Sequence, residues 1–469
     1  MRRIALVVSL WSAVSAASAA TTVDPQLAKH IDADVQAVLQ HTDTPGATIA
    51  VIEHGRLLYR HAYGLRDQQQ RLPVTDDTWF EIGSITKQFT AAAILQLQEA
   101  GKLHLDDTLA TYLPNAPHAK EITLRQMLSH TSGLPEYLDG PDVEQMAVKP
   151  ATLEQLLARI QGKPLDFAPG SRWSYSNTGY VLLGRVIELL SHETYDHYVK
   201  THLLDVAGMT HTYTVTDEAH LDPMAVGYRH ANGKLERAPT IHASVGRAAG
   251  DLVSTTSDLE KWNQALTNGK IVSAADYALM STSVMTTERG SADYGLGLFV
   301  DSVEDQPRVG HTGGSFGFTT ANEYFPKQDV RIIAFTNNGD DPEAGEMLTT
   351  AIFEDLYPEI AAAAKKPAAG EQTSITSTAR AVFVALQAGK DDSSQLSAKL
   401  DGKMKAGLSA RLAKEFLPYG APTGFIFKGQ RTDGALKWYD YTIRFGPGSM
   451  LKYGIGVDDA GKVAALSFG

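Results

Sequence analysis

The sequence contains no cysteine among its 469 residues. Without thiols the chain has no disulfide, no thiolate metal site, no cysteine nucleophile and no lipid-modified N-terminal cysteine. Positive charge is also scarce, because 42 lysines and arginines face 54 acidic residues and leave a net charge of -12. An acidic surface argues against nucleic acid or anionic lipid as the main partner. The sequence also lacks a phosphate-binding loop of the form G-x-x-x-x-G-K-[ST].

Long apolar runs are absent beyond the first residues of the chain, so we expect no membrane span. The N-terminus "MRRIALVVSLWSAVSAASAA" has two arginines, an apolar stretch and then small residues in which Ala17-Ser18-Ala19 fits a cleavage site. This pattern predicts a signal peptide over residues 1–20 and a soluble exported protein, either periplasmic or secreted. The alternative is a membrane anchor, but the apolar stretch is far shorter than the roughly 20 residues that a span needs.

The order of the patterns predicts an α+β fold. Residues 24–40 have helical spacing, and two apolar runs around His54-Gly55 indicate a hairpin. Further strand-like runs precede a closing helix over 343–357, and helices fill the middle of the chain. Strands at both ends favour one antiparallel sheet built from both ends of the domain, over residues 22–360. Residues 361–376 are predicted to be a linker, although their first half could extend the preceding helix, and 377–469 a second, small α+β domain of unknown role.

The segment "EIGSITKQFTAAAILQLQEAG" carries one charged residue, Lys87, between Ile82 and Gln98. Ser84 lies three residues earlier, so a helix would place the two side chains on one face. A lysine can take the proton of a serine nucleophile if burial lowers its pKa from about 10.4 toward about 7–8. The alternative is that Ser84 caps the helix and Lys87 reaches solvent. A second S-x-x-K, starting at Ser449, lies in a strand-like run where positions three apart point to opposite faces.

Two further motifs accompany this pair. Tyr175-Ser176-Asn177 precedes an apolar helix, and an extended backbone would project Tyr175 and Asn177 the same way. A tyrosine hydroxyl can pass on a proton and an asparagine amide can hold a carbonyl, although Asn177 could instead cap the helix. His311-Thr312-Gly313 lies in a strand whose glycines allow close approach of a substrate backbone; the alternative is a plain turn with His311 exposed.

In this order and at this wide spacing, the three motifs resemble the serine penicillin-recognising family of class C β-lactamases, D,D-carboxypeptidases and related esterases. "LRQMLSHTSGLPEY" (124–137) and "AAGDLVSTTSDLEKW" (248–262) are also similar to segments of that family. The resemblance covers about residues 22–359. The site that it implies consists of Ser84 as acylated nucleophile, Lys87 and Tyr175 for proton transfer, Asn177, His311, Thr312 and Gly313 for substrate binding, and the N–H groups of Ser84 and Gly314 as oxyanion hole.

The resemblance implies a serine hydrolase that acts without metal or cofactor on a small-molecule or peptide substrate. Lactam, D-amino-acid peptide and ester all remain open as the natural bond, and so does the oligomeric state. The β-lactamases of this family usually have lysine at the position of His311, so a substrate carboxylate should be held less firmly here.

Three other functions compete with this interpretation. Residues 313–317 match the G-x-S-x-G elbow, with Ser315 as nucleophile, but that motif needs a following helix. His192 and His197 are five residues apart, whereas a zinc helix needs four. A non-catalytic binding or sensor protein of the penicillin-binding type is the alternative from another class, and the three intact motifs argue against it.

Overall fold

The structure is a computed structural model that describes residues 23–214, 223–288, 290–390 and 394–468. The predicted signal peptide lies outside these residues. Within them no helix is both long and apolar enough to cross a membrane. The predicted α+β fold is confirmed, because a seven-stranded antiparallel sheet combines strands from both ends of the first domain.

Helices occupy both faces of the sheet and the middle of the chain. In chain order they are α1 Pro25–His41, α2 Thr86–Glu99, α3 Leu124–Leu128, α4 Val143–Ala147, α5 Leu153–Ala158, α6 Asn177–Ser191, α7 Tyr195–Tyr198, α8 Asp205–Ala207, α9 Ala243–Gly246, α10 Thr256–Thr267, α11 Ala274–Met280, α12 Ala344–Leu356, α13 Pro358–Ala364, α14 Thr373–Gln387, α15 Ala398–Lys403 and α16 Ser409–Phe416.

The strands are β1 Gly46–Glu53, β2 Arg56–Asp67, β3 Leu72–Pro73, β4 Phe80–Glu81, β5 Tyr213–Thr214, β6 Tyr228–Ala231, β7 Lys234–Arg237, β8 Leu252–Ser254, β9 Met285–Thr286, β10 Gly290–Ser291, β11 Phe299–Val303, β12 Gln306–Gly314, β13 Thr319–Phe325, β14 Val330–Thr336, β15 Gly424–Asp433, β16 Leu436–Arg444, β17 Met450–Val457 and β18 Val463–Phe468. The large sheet has the order β11-β12-β13-β14-β1-β2-β3.

The central strand β1 is buried on both faces. Ile49 and Val51 point to one side, into a core formed with α1 and α12, whereas Ala50 and Ile52 point to the other, into the core of the helical region. This alternation follows from the period of two along a strand. The first domain therefore has three layers, and β12 lies near one edge of its middle layer.

Helix α2 lies in the helical layer and is buried on nearly every side. Its first residues follow strand β4, which pairs with β8 in a separate three-stranded sheet. Burial all round explains why the segment has so few charged residues. It also means that Lys87 has no route to solvent along the helix surface, since its exposed fraction is 0%.

The C-terminal residues build their own core. Strands β15 to β18 form a four-stranded antiparallel sheet, and α14 packs on it through Phe383, whose ring lies 5.4 Å from that of Tyr453. Within the predicted linker, α13 continues to Ala364 and α14 begins at Thr373. Residues 365–372 lie outside these two helices, and the backbone N–H of Ala368 donates to the carbonyl of Phe427.

The domain boundary yields a testable expectation for limited proteolysis. We expect elastase, which prefers small side chains, to cut the described residues first near Ala369 and Gly370, both of which are exposed. Mass spectrometry should then find two fragments that divide within 365–372. A first cut inside β1–β14 or inside β15–β18 would contradict two folding units joined at this segment.

Candidate active site

Ser84 and Lys87 lie at the start of α2. Ser84 is in a short 3-10 turn, Gly83–Ile85, that continues directly into the helix. The three-residue spacing places both side chains on one face, and Nζ of Lys87 lies 3.0 Å from Oγ of Ser84. A neutral amine at this distance can accept the proton of the hydroxyl.

Burial favours the neutral form of Lys87. Nζ donates to Oδ1 of Asn177 and to the backbone carbonyl of Ala249, both at 2.8 Å. The rings of Tyr175 and Tyr180 lie 4.7 Å and 5.4 Å from it. Among the described residues, no carboxylate forms an ion pair with Lys87. Burial lowers its pKa from 10.5 to about 7, and the negative charge of Glu136 opposes part of that shift.

Glu136 belongs to this site although its side chain does not touch Lys87 directly. Oε2 accepts a hydrogen bond of 2.5 Å from the backbone N–H of Asn177, and Oε1 accepts one of 2.9 Å from that of Leu138. Burial raises the pKa of Glu136, and the two backbone donors and Lys87 act against that increase. Asn177 therefore links the lysine, through its side chain, to the carboxylate, through its backbone.

Tyr175 lies beside Lys87 in a buried aromatic cluster. Burial raises the pKa of its hydroxyl, and the nearby Ser84 side chain opposes that shift. The hydroxyl is buried beside the Ser84 side chain, so it can pass a proton to or from the nucleophile. The ring of His130 packs on that of Tyr175 at 4.3 Å, and its Nδ1 accepts the backbone N–H of Ser176. Burial and the charge of Lys87 lower the pKa of His130, which holds the ring neutral.

Strand β12 passes next to the turn that carries Ser84. Gly83 has a φ of +48°, and a Cβ on it would lie 2.8 Å from the backbone nitrogen of Gly314. A Cβ on Gly313 would lie 2.0 Å from the carbonyl oxygen of Ile82. Glycine is required at both positions because the two backbones are in direct contact. This approach brings the N–H of Gly314 close to Ser84, where an oxyanion needs donors.

His311 is buried, and both of its ring nitrogens are bonded within the protein. Its exposed fraction is 2%, Nε2 accepts a hydrogen bond of 2.8 Å from the hydroxyl of Tyr294, and Nδ1 donates to the carbonyl of Thr312 at 2.5 Å. Burial and the charge of Lys87 lower its pKa to about 3. The imidazole is therefore neutral, and both of its nitrogens are occupied. Thr312, on the opposite face of the strand, is half-buried.

The structure thus brings together the three motifs found in the sequence. It also excludes two competing motifs: β13 begins at Thr319, so no helix follows Gly313–Gly317, and the second S-x-x-K leads into β17 with Lys452 exposed and Ser449 buried. Sequence reasoning missed Glu136, His130 and the carbonyl of Ala249. The first two lie in "HTSGLPEY", part of the segment 124–137 that resembles the family, and this was the available signal. A hydrogen bond to a backbone carbonyl leaves no signal in the sequence.

Comparison with known proteins identifies relatives of this chain. Residues 31–357 match the family model described as Beta-lactamase. The putative penicillin-binding protein PbpX of Bacillus subtilis (strain 168) is 31% identical over 301 residues, which cover 64% of this chain and 72% of that protein.

Two solved structures have the same fold. A D-stereospecific amidohydrolase from Streptomyces sp. is 27% identical, with a TM-score of 0.60 over 70% of this chain and 98% of its own. The octameric penicillin-binding protein homologue from Pyrococcus abyssi is 24% identical, with a TM-score of 0.62 over 92% and 96% of the two chains. At that identity the second comparison concerns the fold alone, and it extends into the C-terminal domain.

The position of Glu136 generates a prediction about pH. Its negative charge stabilises the Lys87 ammonium and so raises the pKa of Lys87. Glu136→Gln removes that charge, lowers the pKa of Lys87 and leaves more of the neutral amine in acid. The acid limb of the acylation rate, measured with a covalent serine probe, should therefore move to lower pH. The other groups around Lys87, namely Tyr175, Tyr180, His130 and His311, are neutral near pH 7 and should not move this limb.

The rate at alkaline pH serves as the internal control for this variant, because Lys87 is neutral there with or without Glu136. An acid limb that stays in place would contradict the electrostatic coupling. Loss of acylation at every pH would instead indicate that Glu136 is needed to hold Asn177, and through it Lys87, in place.

Proposed function

Because this chain belongs to the beta-lactamase family, we propose that it is an exported serine hydrolase that cleaves amide or ester bonds through an acyl-enzyme on Ser84. One observation carries the proposal: Lys87 is fully buried, forms no ion pair with a carboxylate of the described residues, and lies 3.0 Å from the hydroxyl of Ser84. Lowering a lysine pKa from 10.5 to about 7 costs about 5 kcal/mol. A purely structural lysine would gain nothing from that cost.

In the proposed acylation, Oγ of Ser84 attacks the substrate carbonyl carbon and its proton passes to Nζ of Lys87. The N–H groups of Ser84 and Gly314 donate to the oxygen that becomes negative, which contributes on the order of 3 kcal/mol for each donor. The proton then moves from Lys87 through the hydroxyl of Tyr175 to the leaving amine or alkoxide. The position of the Tyr175 hydroxyl beside the Ser84 side chain supports this role.

Deacylation uses the same groups in reverse. A water molecule attacks the ester carbonyl of acyl-Ser84, gives its proton to the neutral Lys87–Tyr175 pair, and the proton returns to Oγ of Ser84 as the acid leaves. Asn177 keeps Lys87 in place throughout, because its Oδ1 accepts from Nζ and its backbone N–H is held by Glu136.

The proposed substrates lack a carboxylate next to the scissile bond. Among the described residues, no lysine or arginine other than Lys87 hydrogen-bonds or ion-pairs with Ser84, Tyr175, Asn177 or His311, and His311 itself is neutral and internally paired. Small esters and neutral amides, including those of D-amino acids, fit such a site better than penicillins do. The similarity to a D-stereospecific amidohydrolase supports this substrate class.

Export remains part of the proposal. Its support is the pattern over residues 1–20, with two arginines, a short apolar stretch and Ala17-Ser18-Ala19. The absence of cysteine also agrees with a protein that needs no redox control outside the cytoplasm.

The role of Ser84 is tested by covalent labelling. A fluorophosphonate or a labelled penicillin should add its mass to the peptide that contains Ser84, and Ser84→Ala should abolish the label. Lys87→Arg should lower the labelling rate about 10²–10⁴-fold, because a guanidinium stays protonated and cannot act as base. Labelling of Ser315 instead, or an arginine variant with near wild-type rate, would refute the assignment.

The substrate class is tested by comparing turnover of a p-nitrophenyl ester with turnover of a chromogenic cephalosporin. Without a charge-assisted hydrogen bond to the carboxylate, the cephalosporin should lose about 1.5–3 kcal/mol of binding, roughly tenfold to a hundredfold. The ester has no carboxylate and should be turned over faster. His311→Lys should shift the ratio toward the cephalosporin. Fast cephalosporin turnover by the wild type, or a lysine variant with an unchanged ratio, would overturn the expectation.

A further inference from the structure

The hairpin of β11 and β12 has an unusual turn. Val303 pairs with Gln306, so the loop consists of Glu304 and Asp305 alone, and both have positive φ, at 49° and 59°. Two-residue loops with positive φ at both positions are type I′ turns, in which glycine is strongly preferred at the second position. Here neither residue is glycine.

Other hairpins of the same chain provide an internal comparison. The loop between β1 and β2 is His54-Gly55, and that between β6 and β7 is Asn232-Gly233, with positive φ at all four residues. Both loops place glycine where the β11–β12 hairpin has Asp305. This hairpin therefore needs contacts from outside the turn to hold its backbone.

The C-terminal domain supplies those contacts. Arg444, at the end of β16, pairs with both Glu304 and Glu354. Lys428, in β15, pairs with Asp305 at 2.5 Å and also donates to the carbonyl of Ala364. Both residues of the turn are thus paired with cations of the other domain. We call the Arg444–Glu304 and Lys428–Asp305 pairs the tip contacts.

Glu304 depends on its partner because it is buried. Its side chain is 2% exposed, and burial and the nearby Glu354 carboxylate raise its pKa. Without Arg444, the carboxylates of Glu304 and Glu354 would lose the cation that pairs with both of them. The turn would then lose the interaction that compensates for its backbone conformation.

The hairpin continues into the active site. Its outer strand β11 begins at Phe299, whose ring lies 4.9 Å from those of His311 and Tyr294. Phe299 pairs with Gly310, which is the last position of β12 paired with β11. Beyond it, residues 311–314 pair with β13 but not with β11, and Gly313 and Gly314 lie against the turn that carries Ser84. A displaced β11 would therefore release the packing of His311 and the strand that carries Gly314.

We propose that the C-terminal domain holds the active site in position through the tip contacts, with Arg444 as the main positioning residue. The effect on the backbone of β11 and β12 stands independently of any activity, whereas the effect on catalysis rests on the proposed function. The domain thereby has a role in the full-length chain that does not require a catalytic group of its own.

The test compares full-length wild type with Arg444→Gln by hydrogen exchange and by ester hydrolysis. Peptides covering residues 299–314 should exchange at least about tenfold faster in Arg444→Gln, because a charged hydrogen bond to a buried group is lost. Exchange over residues 46–53 should stay unchanged. KM for the p-nitrophenyl ester should increase several-fold. Lys428→Met should also speed exchange over residues 299–314 and raise KM. This variant tests the proposal if Arg444→Gln fails to fold.

Arg431→Gln is the matched control. Arg431 is half-exposed in the same sheet and pairs with Asp440 of its own domain, so exchange over 299–314 should match wild type. The decisive variant adds Glu304→Asn and Asp305→Gly to Arg444→Gln. An Asn-Gly turn adopts the type I′ conformation unaided, so slow exchange and low KM should return.

Unchanged exchange over 299–314 in Arg444→Gln would overturn the proposal, and so would failure of the Asn-Gly turn to restore it. A wild type without hydrolytic activity, but with the expected exchange pattern, would instead refute the proposed function and leave the role of the C-terminal domain standing.

Discussion

The structure of the active site depends on the burial of one amino group, that of Lys87. Water cannot solvate it, and no described carboxylate pairs with it, so the surrounding groups must accept its hydrogen bonds without fixing its charge. Asn177 and the carbonyl of Ala249 do so with neutral oxygens. Arg247, two residues before Ala249, adopts a positive φ of 42°, and this backbone conformation precedes the carbonyl that faces Lys87. The loop therefore has a strained backbone next to the carbonyl of Ala249, which accepts the hydrogen bond from Lys87.

The buried Arg308 differs from Lys87 because it is paired with carboxylates and keeps its charge. Arg308 is surrounded by Asp301, Glu323 and Glu346, and these carboxylates raise its pKa despite burial. An arginine cannot lose its proton in a protein, so it must be paired, whereas a lysine can become neutral instead. Each residue type therefore suits its role in the fold. The arginine fixes strands β11, β12 and β13 to α12, and the lysine remains available to exchange a proton.

Much of this could be predicted from the sequence, because the informative signals were local. A single charge in an apolar helix predicted the burial of Lys87, and a three-residue spacing predicted its contact with Ser84. Strand and helix periodicities predicted the α+β fold and the hairpin at His54-Gly55. The orientation of His311 could not be predicted, because which face of a strand is buried depends on distant aromatic residues such as Phe299 and Tyr294. Glu136 was also missed, because its link to Lys87 runs through the backbone of Asn177.

The tip contacts were even harder to predict from the sequence than the orientation of His311. Arg444 and Glu304 are separated by 140 positions, and each is an ordinary charged residue in its own segment. The local signal was instead a departure from the usual composition of type I′ turns, namely a two-residue hairpin loop without glycine. Such a departure indicates that something else stabilises the turn, but it does not identify the partner. Local rules are broken where tertiary contacts compensate, and in this chain that happens on the strand that leads to the active site. The position of that strand is therefore determined by both domains, not by the catalytic domain alone.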